Sequence, residues 1–375
     1  MAQQLKCQLS RGQELRHSKS GFSPNSALRL GVRAAQRACY NLRVPEETLD
    51  IENHDALASY LRARDSNLEP VQMKTLAGGV SNRTVLVRFA DGRAWVIKQA
   101  LAKLRTKADW FSDPARVHRE ALGMRWLAKL APPGTIPEFV FEDFEHHLLA
   151  MAAVPEPHGN WKEILLRGNV ELEHFQQFGQ LLAAIHRNGA ASAGDPATVF
   201  GDRSFFESLR LEPYYLYAAE QVPEAAEFLH QLVDETRKRR LTIVHGDFSP
   251  KNILVRQAKL VLLDHEVIHW GDPTFDVGFA MAHFLSKMRH LPAYRFALHR
   301  ATGSFYASYL SQAPFADEQH IVRHTLACLL ARVAGRSPLE YLSYEEKQSQ
   351  QRRVLSLIKK VPRDITSVTA AMATL

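Results

Sequence analysis

Apolar and polar positions along the chain change period several times, and each change marks an element. Val71-Gln72-Met73-Lys74-Thr75-Leu76, Arg83-Thr84-Val85-Leu86-Val87-Arg88-Phe89 and Arg93-Ala94-Trp95-Val96-Ile97-Lys98-Gln99 alternate with a period near two and predict three strands. The last two are joined by Ala90-Asp91-Gly92, a hairpin turn. Val117 to Leu127 switches to helical spacing, and Phe139–Asp143 and His147–Val154 return to strands. Pro155-Glu156-Pro157-His158-Gly159 is a breaker, taken as the boundary between two lobes spanning 45–155 and 156–375. Beyond it, Asn252–Arg256 and Lys259–Asp264 flank Gln257-Ala258 as a further hairpin. Helices are predicted over Pro45–Ala63, around Phe205–Tyr217, through Cys328–Arg336 and over Glu345–Lys360, with the last residues frayed.

The chemistry sits beside the second hairpin. His245-Gly246-Asp247-Phe248-Ser249-Pro250-Lys251-Asn252 places an Asp and an Asn five residues apart, the separation between base and metal-binding Asn in the protein-kinase loop H-R-D-L-x-x-x-N. Phosphoryl transfer asks the protein for positioning and for neutralisation of phosphate charge. Asp247 is the candidate base for a hydroxyl proton, and Asn252 and Asp264, with Glu266 beside them, offer the hard oxygens that suit Mg²⁺. Gly78 and Gly79, followed by Ser81 and Asn82, form a turn whose backbone and side-chain donors suit nucleotide phosphates. Val-Ile-Lys98 resembles the kinase V-A-I-K strand, and Glu120 is the expected helix partner of its lysine. The backbone from Ala152 through Ala153 to Val154, backed by Met151, is expected to meet the adenine edge.

In this order the motifs, closed by Asp264-His265-Glu266 and Phe275-Asp276-Val277-Gly278, resemble the aminoglycoside phosphotransferase and choline kinase superfamily from about Leu68 to Tyr341. The resemblance implies an α+β, protein-kinase-like two-lobed fold, with a small antiparallel-sheet N-lobe and a mostly helical C-lobe. It implies ATP and Mg²⁺ as co-substrates, Asp247 as base, Asn252 and Asp264 as metal ligands, and His245 and Asp276 as braces of the loop. Local motifs are most similar to 5-methylthioribose kinase: Lys98-Gln99-Ala100-Leu101, the Trp110 loop, and Arg332 near that family's arginine pair. That family has adjacent arginines and tends to carry another residue at the Asn252 position, whereas Arg332 and Arg336 here stand four apart, a spacing that shares one helical face.

Only eleven residues separate Asp264 from Asp276, too few for a peptide-docking activation segment. The acceptor is therefore expected to be a small hydroxyl compound such as a sugar, a methylthioribose-like compound or an amino alcohol. The alternatives are a nucleotide-binding pseudokinase with a regulatory or scaffolding role, and, behind it, an aminoglycoside-modifying enzyme or a protein kinase. The aromatic stripe Phe205–Tyr217 suits either core packing or a bound cation, core being favoured, and His186 is read as a packed helix-end histidine.

Composition adds location rather than chemistry. The net charge of +7 lies wholly in residues 1–44, where eight Lys or Arg face Glu14 alone, and the remainder is balanced. This stretch is read as a disordered basic tail, so neither nucleic acid nor membrane is expected as a partner. No apolar run reaches the ~18 residues of a membrane span, and three cysteines without metal-like spacing fit a reducing, cytoplasmic setting. The oligomeric state is left open, a homodimer included.

Overall fold

The computed structural model describes residues 49–76, 81–105, 110–192, 195–313, 315 and 317–374. Leu49–Leu375 forms one compact unit. The basic stretch 1–44, together with Gly78 and Gly79, lies outside the described residues.

Among the described residues the first helix, α1, runs His54–Arg64, later than the pattern predicted, because Asn53 caps it by accepting from Ala56 N at 3.2 Å. Strands β1 (Pro70–Thr75), β2 (Asn82–Phe89) and β3 (Ala94–Ala100) follow, then α2 (Arg116–Leu130), β4 (Phe139–Asp143) and β5 (Leu148–Ala152). The five strands form one antiparallel sheet in the order β1-β2-β3-β5-β4. Alternation decides its two faces. Val85, Val87, Phe89, Trp95 and Ile97 pack with Leu57 and Leu61 of α1. On the other face, Val117, Ala121 and Met124 of α2 cover Leu149 and Met151, while Leu86, Val96 and Lys98 stay only partly buried.

The rest is mostly helical. β6 (Gly159–Asn160), α3 (Trp161–Leu166), α4 (Leu172–Ala191) and α5 (Ala226–Lys238) lead to β7 (Thr242–Val244). β8 (Ile253–Arg256) and β9 (Lys259–Leu262) form the expected hairpin, its turn made by Gln257 and Ala258 at φ +49° and +59°. β10 (His269–Gly271) pairs with β7. Helices α6 (Pro273–His290), α7 (Arg295–Leu310), α8 (Glu318–Ala334), α9 (Tyr344–Lys359) and α10 (Ile365–Ala373) complete the chain. Every residue of α6 from Pro273 to Met288 is buried, the signature of a central helix. Gly278 of α6 has no room for a side chain, since a Cβ there would lie 2.8 Å from the His324 carbonyl carbon of α8. The last described helix is packed rather than frayed: Ile365, Val368 and Met372 bury one face of α10 in this core. No helix among the described residues is long and apolar enough to cross a membrane.

The aromatic stripe lies on Ser204–Phe206 and a π-helical stretch, Glu207–Leu216, with Phe206, Tyr214 and Tyr215 buried. His186 sits inside α4 rather than at its end, and bonds the Tyr309 hydroxyl at 2.9 Å and Asp276 at 3.3 Å. Burial disfavours the charged rings of His324 and His269, and both ionise only at about 4. An unfolded histidine ionises near ~6.5. Between these values the unfolded chain binds more protons, so stability should fall as pH drops from 6.5 towards 4. Denaturant midpoints should therefore be lower at pH 5 than at pH 7.5, and equal midpoints would contradict this assignment.

Candidate active site

The loop after β7 is built around one buried carboxylate. Asp276, fully buried in the first turn of α6, accepts His245 N–H at 2.7 Å on Oδ2 and Gly246 N–H at 2.8 Å on Oδ1. Gly246 takes φ +77°, and a Cβ there would come within 3.0 Å of the Val267 carbonyl oxygen, so glycine is required. His245 Nδ1 accepts Asp247 N–H at 3.2 Å, which puts the ring proton on Nε2, facing His265 Nδ1 at 3.0 Å. Burial holds both rings below their usual range, in keeping with this neutral pair. Phe248 stacks on Phe178 of α4 at 4.0 Å and pins the far side of the loop.

Asp247 Oδ2 meets Asn252 Nδ2 at 2.8 Å and Arg210 Nη2 at 2.9 Å. Asn252 Nδ2 also donates to the Asp247 carbonyl, leaving its amide oxygen free of these contacts. Asp264, just past β9, adopts φ +67°, a strained conformation for a non-glycine residue. Its Oδ1 accepts from Lys98 Nζ at 3.0 Å, and the same ammonium donates to Glu120 Oε1 of α2 at 2.6 Å. Burial alone would lower the lysine, but Asp264 and Glu120 hold it above its ordinary value. Burial would likewise raise Asp264, and Lys98 and Lys251 pull it well below the carboxylate range. Burial pushes Glu120 upward, against the pull of Lys98.

The sheet face carrying Lys98 bounds a cavity of about 470 Å³ with Gln72, Lys74, Leu86, Arg88 and Glu156. Register explains this set. Lys98 lies opposite Thr84, Val96 opposite Leu86, and Ala94 opposite Arg88, all on one face. A second, narrower cleft holds Asp247, Asp264, Glu266 and Ser81 together with Arg210, Tyr214, Lys251, His283 and Arg332.

Residues 72–310 match the phosphotransferase enzyme family. The chain belongs to this family. Solved structures share the fold at low identity. Amicoumacin kinase hAmiN in complex with AMP-PNP, Ca²⁺ and Ami is 14% identical, with TM-score 0.55 over 81% of this chain and 94% of that one. A choline/ethanolamine kinase family protein from Mesorhizobium loti is 13% identical, with TM-score 0.51 over 86% and 99%. The GDP complex of wild-type aminoglycoside 2'-phosphotransferase-IIIa is 13% identical, with TM-score 0.50 over 82% and 98%. These likenesses confirm the protein-kinase-like architecture, a small antiparallel sheet followed by a mostly helical part. No curated protein matches the chain.

One expected residue of this phosphotransferase takes another position. Arg336 does not share a helical face with Arg332: α8 ends at Ala334, Gly335 is extended, and Arg336 turns away to pair with Glu212 at 2.9 Å over the Tyr217 ring. Ala153 N–H is already used, donating to Ala94 O at 2.8 Å, and Ala152 N–H bonds Glu138 O. Val154 N–H has no protein partner among the described residues. Met151 is buried between the sheet and α2. Glu266 Oε2 is taken by Arg116 Nε at 3.1 Å and Asn82 Nδ2 at 3.5 Å. Arg116 was not apparent from the sequence. Fully buried at the start of α2, it also bonds the carbonyls of Ser81, Leu101, Ser112 and Asp113, tying the Ser81 backbone to Glu266. Its one sequence signal is a cation in a helix's first turn, against the macrodipole. Arg210 likewise escaped notice, lying 36 residues from Gly246, whose carbonyl it binds.

Proposed function

We propose that this phosphotransferase is a small-molecule kinase moving the γ-phosphoryl group of Mg²⁺-bound ATP to a hydroxyl. The observation that carries the reading is the junction at Lys98, whose ammonium joins Glu120 to Asp264 within reach of the cleft holding Asp247. Asp247 orients the acceptor hydroxyl and takes its proton on the carboxylate, with Arg210 and Asn252 fixing the rotamer. Asp264 and the Asn252 amide oxygen are the hard donors that would hold Mg²⁺. When bound, the metal nucleotide supplies the phosphoryl group and the neutralisation of its charge. Leu86 and Val96 would roof the adenine, with Val154 N–H at its edge, and Lys98 would meet the phosphates near Ser81 and the Gly78-Gly79 turn. Glu266 Oε2 acts through Arg116 on the Ser81 backbone. The lobes would meet near 155–156.

The short path from Asp264 to α6 favours a small acceptor over a peptide. A panel with Mg-ATP containing methylthioribose, choline, aminoglycosides, amino sugars, sugar phosphates and hydroxy acids should show acceptor-dependent ADP release. Lys98→Met should lower turnover by roughly tenfold or more, since an ion pair contacting the transferring phosphates is lost. Acceptor-dependent ADP release that Lys98→Met leaves intact would sink the assignment, and nucleotide binding with no turnover would favour the pseudokinase reading.

A further inference from the structure

Each acid of the narrow cleft is matched by a base: Asp247 by Arg210, Asp264 by Lys98 and Glu266 by Arg116. The other bases there have no acid in ion-pair contact, and the acids that act on them, Glu340 and Glu163, are themselves paired with Lys162. Arg332 of α8, 7% exposed, spends Nη1 on neutral acceptors, the Tyr214 hydroxyl at 2.9 Å and the Ser337 carbonyl at 2.6 Å, and its buried Nε has no partner. His283 of α6 also lines the cleft, 3% exposed, with Nε2 unpartnered. One turn further along α6, Lys287 is fully buried with an unpartnered Nζ, 5.1 Å from the Tyr341 ring. Burial, together with Arg332 and Lys162, draws this lysine down to about 7 against the opposing pull of Glu340 and Glu163. Among the described residues, no ion pair joins Arg332, His283, Lys287 or Lys251 to a carboxylate. Buried donors and cations left without partners are costly, and here Arg332 and His283 line the same cleft as Asp247, with Lys287 one turn along α6 from His283. A ligand that brings negative charge relieves that cost, and a guanidinium is well suited to a planar or tetrahedral oxyanion.

We propose that the phosphoryl acceptor itself carries an anionic group, a carboxylate or a phosphate ester, seated on Arg332 and His283 with Lys287 behind them. This rests on the kinase reading above and narrows it. A quaternary ammonium or a polycationic acceptor would instead meet Arg332 and Lys251 with like charge.

The test is calorimetry on the full chain saturated with Mg²⁺ and AMP-PNP, titrated separately with malonate and orthophosphate. At least one anion should bind to the saturated protein, and which of the two binds tighter separates carboxylate from phosphate recognition. Arg332→Gln and Lys287→Met should each weaken it about tenfold or more, Arg332→Lys should weaken it less, and AMP-PNP affinity should hold in all three. Absence of anion binding to the saturated protein, or equal anion affinity in Arg332→Gln, overturns the inference. Failure of AMP-PNP itself to bind would overturn the kinase reading instead. In the turnover arm, glycerate should outrun glycerol and ribose 5-phosphate should outrun ribose. Faster turnover of glycerol, ribose or choline, unaffected by Arg332→Gln, would also overturn it.

Discussion

Asp247→Asn is expected to cut acceptor-dependent turnover by roughly 10²–10⁴-fold, the usual contribution of a positioned general base. The amide keeps the shape and can still accept from Asn252 Nδ2, but it cannot take a proton. Arg210 loses its charged partner, yet retains the Gly246 carbonyl at 2.8 Å and the Leu209 carbonyl at 2.7 Å, so the loop should stay in place. The stability cost should therefore stay near the ~1–3 kcal/mol of one weakened charged hydrogen bond. Steady-state ADP release together with AMP-PNP calorimetry reads the two effects separately. A variant with wild-type turnover would remove Asp247 from the chemistry, and one that lost nucleotide binding would make its role structural.

Asp276→Ala should produce the largest loss of stability. The carboxylate accepts the backbone N–H groups of His245 and Gly246 and faces His186 Nε2, all in a site closed to solvent. Removing it strands two buried amides, each costing about 1–3 kcal/mol, so a loss of roughly 3–5 kcal/mol is expected in denaturant unfolding at pH 7. Because those amides hold the segment that leads into Asp247, turnover of the surviving folded fraction should fall as well. Asp276→Asn, which keeps one acceptor oxygen, should lose less than Ala. A loss below ~1 kcal/mol in the alanine variant would mean that the loop is held by the β7–β10 pairing and the Phe248–Phe178 stack without this brace.

Much of the scaffold was legible because its signals are local. The Ala90-Asp91-Gly92 turn, the alternation on either side and the Gln257-Ala258 hairpin each depend on a few neighbouring residues, and β2, β3, β8 and β9 fall where the pattern put them. The order of Lys98, Glu120, Asp247, Asn252 and Asp264 was readable as a motif, and the fold gathers them about one cleft. The opposite wall of the cleft was far less readable. The Arg332–Arg336 spacing suggested one helical face, but an extended glycine intervenes, and nothing in i, i+4 arithmetic reports a helix end. Arg116, Arg210, His283 and Lys287 look like ordinary helix residues until their neighbours are known.

The sequence by itself determined the periodicities, the turns and the candidates for phosphate handling, since these follow from backbone geometry and motif spacing over a few residues. Only the tertiary structure decided which charges are matched. Lys98 meets Asp264 across 166 residues and Arg116 meets Glu266 across 150, and such pairings depend on how the sheet, α2 and α6 pack together. The same packing leaves Arg332, His283 and Lys287, among the described residues, with no acid in ion-pair contact. On that imbalance rests the proposal that the acceptor is anionic.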